Sequence, residues 1–140
     1  QTASGPAIAS TESSAPDPTQ ALAKADIANA LRQGGYVIYF RHTGTDFSKN
    51  DDAMKSYADC SNQRMLSSHG RTQAREIGQR ISALKLPLGE ALASPMCRTM
   101  ETARLILGRV TPQSDIREGA SSDYPGLKQL FVNAVPKGTN

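Results

Sequence analysis

Tryptophan is absent from this 140-residue sequence, and four Tyr and three Phe are its only aromatic side chains. So sparse a set offers no stacking platform for single-stranded nucleic acid, which relies on repeated aromatic faces. Lys and Arg nowhere form a run, and no nucleic-acid motif accompanies the net charge of +3. That mild basicity suits a small anionic substrate rather than DNA or RNA. No apolar stretch has the length of a transmembrane helix, so no membrane span is expected. There is no metal-ligand spacing and no internal repeat, and no metal or other cofactor is expected. The oligomeric state is not legible.

Cysteine is scarce too: Cys60 and Cys97 are the only two. They allow one disulfide, whereas in a cytosolic protein they would stay reduced. The expectation is a Cys60–Cys97 bridge in a periplasmic or secreted protein, the alternative being reduced thiols in the cytoplasm. The chain starts at Gln1 rather than Met, which accords with a processed N-terminus.

What is present suits one domain. Residues 1–18 are rich in Ser, Thr, Ala and Pro and are expected to be a flexible leader, because they cannot bury enough surface to offset ordering. The domain is placed at 19–140. Thr19 can cap a helix over 20–33, with Leu22, Ile27, Ala30 and Leu31 near one face and Gly34-Gly35 as its stop. A polar stretch from Phe47 to Arg64 reads as a lid or substrate-selecting wall, or else as a surface excursion. Ser67 caps a helix to about Leu84, with Ala74, Ile77, Ile81 and Leu84 at helical spacing. A strand over 90–93 follows. A helix over 96–107 closed by Gly108, a short edge strand within 110–116 weakened by Pro112, and a helix over 123–135 complete the pattern. Helix–strand alternation of this kind implies a parallel sheet with right-handed crossovers.

Two stretches concentrate the chemistry. Tyr36-Val37-Ile38-Tyr39-Phe40 reads as a buried strand, ending abruptly at Arg41-His42. Open α/β folds build their sites at such carboxyl ends. Arg supplies a permanently charged fork for phosphate oxygens, and a His nitrogen can act as nucleophile. Ala91-Leu92-Ala93-Ser94-Pro95 then repeats the arrangement, with Arg98 in the first turn of the helix that follows. There a guanidinium joins the free N–H groups and positive dipole end of the helix.

The sequence resembles the histidine phosphatase superfamily, the phosphoglycerate-mutase-like group. Three motifs carry the likeness, in the family's order, over roughly Tyr36 to Gly108. They are Arg41-His42 with Thr45 three residues on; Leu66, Gly70, Gln73 and Ala74; and Ser94-Pro95 with Arg98, Glu101, Thr102 and Ala103. The resemblance implies a three-layer α/β/α fold with a mainly parallel sheet. It implies a phosphohydrolase, less readily a mutase, in which His42 is transiently phosphorylated. Arg41 and Arg98 would clamp the phosphoryl oxygens, Thr45 would sit at the pocket, and Glu118 is the nearest candidate for the general acid, with Asp123 behind it. The partner implied is a small phosphorylated substrate or phosphate ion.

Two departures from the family pattern stand out. Thr43 occupies the place of the family's Gly after the His. The family's second His lies on a strand expected beyond Asn140, so the domain is expected to be C-terminally incomplete. His69, the only other histidine, stands in the helix motif and reads as a capping-turn or solvated helix residue. The alternative function is therefore a non-catalytic phosphate-binding module, or an inactive fragment of such an enzyme. Glu101 reads as a helix anchor. Cys97, adjacent to Arg98 inside a helix start, has the wrong geometry for a cysteine phosphatase.

Overall fold

The helix expected over 20–33 is present as α1 (Lys24–Gln33) in a computed structural model that describes residues 24–117 and 123–140. The leader over 1–18, the Thr19 cap, Leu22 and Glu118 lie outside the described residues. Gly34, at φ 78°, ends α1 in the left-handed region that only glycine enters without strain. Ile27, expected inward, is exposed, while Ala30 and Leu31 are half-buried.

Helix α2 (Ser68–Leu84) starts where Ser67 accepts the Gly70 N–H at its side chain, satisfying one of the four free amides of a helix start. Strand β1 (Leu92–Ala93) leads into α3 (Cys97–Leu107), closed by Gly108 at φ 72°. Strand β2 (Thr111–Pro112) then lies parallel to β1, with Leu92 opposite Thr111 and Ala93 opposite Pro112. Pro112 has no N–H to offer a further strand, which fits a place at the edge. Helix α4 (Pro125–Val132) is shorter than expected, with Leu127 and Leu130 half-buried and Phe131 and Ala134 exposed. The architecture is thus α/β with a small parallel sheet of two strands among the described residues.

The expectation of a buried strand over Tyr36–Phe40 fails. Val37, Tyr39 and Phe40 are 45%, 58% and 50% exposed. From Val37 to Arg41 no backbone group has a hydrogen-bond partner among the described residues. Between this stretch and Leu92, Ala103 and Leu130 lies an apolar cavity of about 500 Å³. With that gap on one side, no strand among the described residues completes a ladder with it, and the apolar side chains line the gap instead. Tyr39 meets Phe131 of α4 edge-on, ring centroids 5.5 Å apart.

Asn140 holds the near end of this arrangement together. Its N–H donates to the Pro87 carbonyl (2.9 Å) and its own carbonyl accepts from Gly89 (3.0 Å), a parallel pairing across Leu88. Its side chain donates to Leu31 and Pro87 carbonyls at 2.7 and 2.9 Å. The buried core comprises Leu66, Ala74, Ala91, Ala93, Met96 and Cys97, of which Ala91 and Ala93 also line the cavity. Gln63, with no exposed surface, is the largest side chain fully buried there.

Candidate active site

The site is shaped by how closely residues 43–45 approach α2. A side-chain carbon on Gly70 would overlap the Gly44 carbonyl, so glycine is required for the contact. Gln73, one turn on, accepts the Gly44 N–H at 3.3 Å. Thr45 is buried and pairs antiparallel with Leu66, Asp46 donating to Met65 at 2.9 Å and Ser67 to Gly44 at 3.0 Å. From the other side Thr102 of α3 donates its hydroxyl to the Arg98 carbonyl (2.7 Å) and accepts the Thr43 N–H (3.4 Å). The Thr43 and Gly44 amides, which lie outside any ladder, thus each have a motif side chain as acceptor.

His42 sits on that turn, half-buried at one end of the cavity, with Arg41 exposed beside it. Its Nδ1 lies 2.9 Å from the Thr43 carbonyl. A carbonyl can only accept, so the contact places the proton on Nδ1 and leaves the Nε2 lone pair free. Burial lowers the His42 pKa below its ordinary 6.5; the Thr43 bond opposes this, and the positive charges of Arg98, Arg41 and Arg64 add to the lowering. Desolvation and like charge both disfavour the imidazolium, so the ring is neutral at neutral pH.

Arg98, in the first turn of α3, is held by Asp51 from the 47–64 loop. Its Nη1 is 3.0 Å from both carboxylate oxygens of Asp51 and 3.4 Å from the Arg64 carbonyl. The loop is tied down beside it. A Cys60–Cys97 disulfide spans a Cα–Cα distance of 5.7 Å, within the ordinary range for such a bridge. Buried Gln63 accepts the Cys97 N–H at 2.9 Å and donates to the Tyr57 carbonyl at 3.0 Å. The loop is therefore tied to the start of α3 by a disulfide, by Gln63 and by Asp51. Cys97, being oxidised, has no thiolate to offer.

Arg41, His42 and Arg98 thus come into one electrostatic neighbourhood, with Thr45 buried behind the turn. Glu118 is outside the described residues, and Asp123 is exposed. His69 lies exposed on α2. Glu101 anchors α3 to α2 by accepting from Arg71 at 2.6 Å. Sequence reasoning missed Asp51 and Arg64. Arg64 adds a third guanidinium near His42, and its Nε is buried without a partner among the described residues. The only local hint was their place in the stretch between the first two motifs.

Among the described residues no helix is long and apolar enough to cross a membrane, and no group of three His, Cys, Asp or Glu could hold a metal ion. In comparisons with known proteins, the family model of the histidine phosphatase superfamily (branch 1) matches residues 37–135. None of the curated proteins compared matches the chain.

Proposed function

The chain belongs to the histidine phosphatase superfamily, and on that premise we propose that it is a phosphohydrolase acting through phosphohistidine at His42. The observation that carries the reading is the His42–Thr43 contact, which frees Nε2 as a nucleophile amid three guanidiniums. In the first step Nε2 attacks phosphorus, an N–P bond forms, and the P–O bond to the leaving alcohol breaks. Arg41 and Arg98 hold the phosphoryl oxygens as charge shifts onto them. The leaving oxygen takes a proton from a general acid, for which we propose Glu118. A positioned acid of this kind contributes about 10²–10⁴-fold. Water then attacks phosphorus while giving its proton to the carboxylate left by that acid, the N–P bond breaks, and phosphate leaves with both the imidazole and the acid restored. A mutase would pass the phosphoryl group to a second substrate oxygen instead of water.

The fold we propose around this site is the three-layer α/β/α arrangement with a mainly parallel sheet, acting on a small phosphorylated substrate. The disulfide supports a periplasmic or secreted location, since such bridges persist in oxidising compartments. Rapid acid-free denaturation after incubation with p-nitrophenyl phosphate tests the mechanism. The expected result is one phosphoryl group on the peptide carrying His42, lost in His42→Ala together with p-nitrophenol release. Phosphate binding without turnover would leave a non-catalytic phosphate-binding module. Neither binding nor turnover would overturn the reading.

A further inference from the structure

Arg98 is gripped in an unusual way. An Arg–carboxylate pair is commonly bidentate, two nitrogens facing two oxygens. Here both Asp51 oxygens lie 3.0 Å from the single atom Nη1. Nε and Nη2, which together form the side-on edge of the guanidinium, have no hydrogen-bond partner among the described residues. Asp51 therefore fixes the plane of Arg98 while leaving open the edge best suited to two phosphoryl oxygens. The Arg98 side chain is only 14% exposed, so it has little room to take another pose.

Asp51 is itself braced. Its Oδ1 accepts the Arg64 N–H at 2.8 Å, and its carbonyl accepts from Met54 at 3.1 Å. Gln63, next to Arg64, bonds the N–H of Cys97, next to Arg98, and the disulfide repeats that tie. Asp51, Arg64, Gln63, Cys97 and Arg98 make a closed ring of contacts. Desolvation raises the Asp51 pKa, but the Arg64 N–H, the Arg98 hydrogen bond and the charges of Arg98 and Arg64 together hold it below the ordinary value. A carboxylate so held has no proton to give near neutral pH, which separates it from the general acid.

We propose that Asp51 is a positioning residue, holding Arg98 so that its Nε–Nη2 edge meets the anion at His42. The inference rests on the reading of this site as a phosphate site. Its sign is what makes it testable. A carboxylate near a phosphate repels it, so removing the charge alone would tighten anion binding. Removing a positioning contact weakens it, because a misdirected guanidinium loses its paired bonds. Misplacement on this scale costs up to about a hundredfold in rate.

The experiment measures inorganic phosphate affinity by calorimetry, and kcat and KM for p-nitrophenyl phosphate, in wild type, Asp51→Asn, Asp51→Ala and Arg98→Ala. Circular dichroism checks that each variant is folded. Asp51→Asn keeps an oxygen for Nη1 and should stay within about threefold of wild type. Asp51→Ala should bind phosphate about tenfold more weakly and lose kcat/KM by about ten- to a hundredfold. Should Asp51→Ala fail to fold, Asp51→Ser, polar but too short to reach Nη1, takes its place with the same expectation. Unchanged or tighter phosphate binding in Asp51→Ala or Asp51→Ser, with binding lost in Arg98→Ala, would overturn the positioning role and leave the phosphate site standing. A wild type that binds no phosphate, or an Arg98→Ala that binds like wild type, would instead bring down the phosphate reading and this inference with it.

Discussion

Arg71 Nε lies 2.6 Å from Glu101 Oε1, with Arg71 Nη2 3.3 Å from the second carboxylate oxygen, joining the second motif to the third across α2 and α3. The pair is half-exposed, its side chains 34% and 27% accessible, so solvent screens much of its attraction. A double-mutant cycle with Arg71→Ala and Glu101→Ala, followed by urea unfolding, should give a coupling energy of roughly 0.5–1 kcal/mol. A coupling of zero would show that the helices are held by packing alone.

Gly70→Ala sets two effects against each other. Ala in place of Gly favours a helix by about 1 kcal/mol. The added carbon would overlap the Gly44 carbonyl, and overpacking against fixed backbone costs roughly 1–3 kcal/mol or more. Sterics should win, giving net destabilisation together with loss of phosphate binding, because the turn carrying His42 must move. Chemical denaturation and calorimetry read the two; a stabilised variant would contradict the close contact.

The Cys60–Cys97 bridge closes a segment of sequence separation 37. By chain entropy such a closure contributes between roughly 3 and 4.7 kcal/mol. The double variant Cys60→Ser, Cys97→Ser should therefore melt earlier. It should also weaken phosphate binding, since the ring that braces Arg98 loses one of its two ties. Thiol titration of unreduced native protein should find no free sulfhydryl.

His42 should titrate below 6.5 in the free protein, followed by its ring protons in NMR and assigned by their loss in His42→Gln. The sign follows from the surroundings: burial and the positive charges of Arg98, Arg41 and Arg64 disfavour the imidazolium. Because the folded pKa is lowered, the unfolded chain takes up this proton first. The cost to stability therefore appears as pH falls through 6.5 and grows until the folded group also protonates. Arg64→Gln should raise the value by removing one positive charge. A wild-type value at or above 6.5 would contradict the environment described.

Much of the site was legible because its motif residues do local work. Ser67 caps α2, Gly108 ends α3, and Glu101 anchors a helix, all within reach of short-range rules about caps and spacing. The cysteine pairing followed from there being only two. Asp51 was invisible for the opposite reason: it stands 47 residues from Arg98, in a polar loop whose sequence has no periodicity.

The run from Tyr36 to Phe40 marks the boundary between the two kinds of knowledge. Its apolar, β-branched and aromatic residues fix what these positions prefer, namely shelter from water, and fix that Arg41-His42 follows immediately. Whether the run is a buried strand depends on neighbours that a local pattern does not contain. In the tertiary structure its backbone finds no ladder partner among the described residues, and its side chains line a cavity beside α4. Sequence by itself determined the family motifs and the candidate residues they carry, because chemistry belongs to side chains. Tertiary structure decided their electrostatics and orientation, because an arginine's free edge and a histidine's pKa are set by groups distant along the chain.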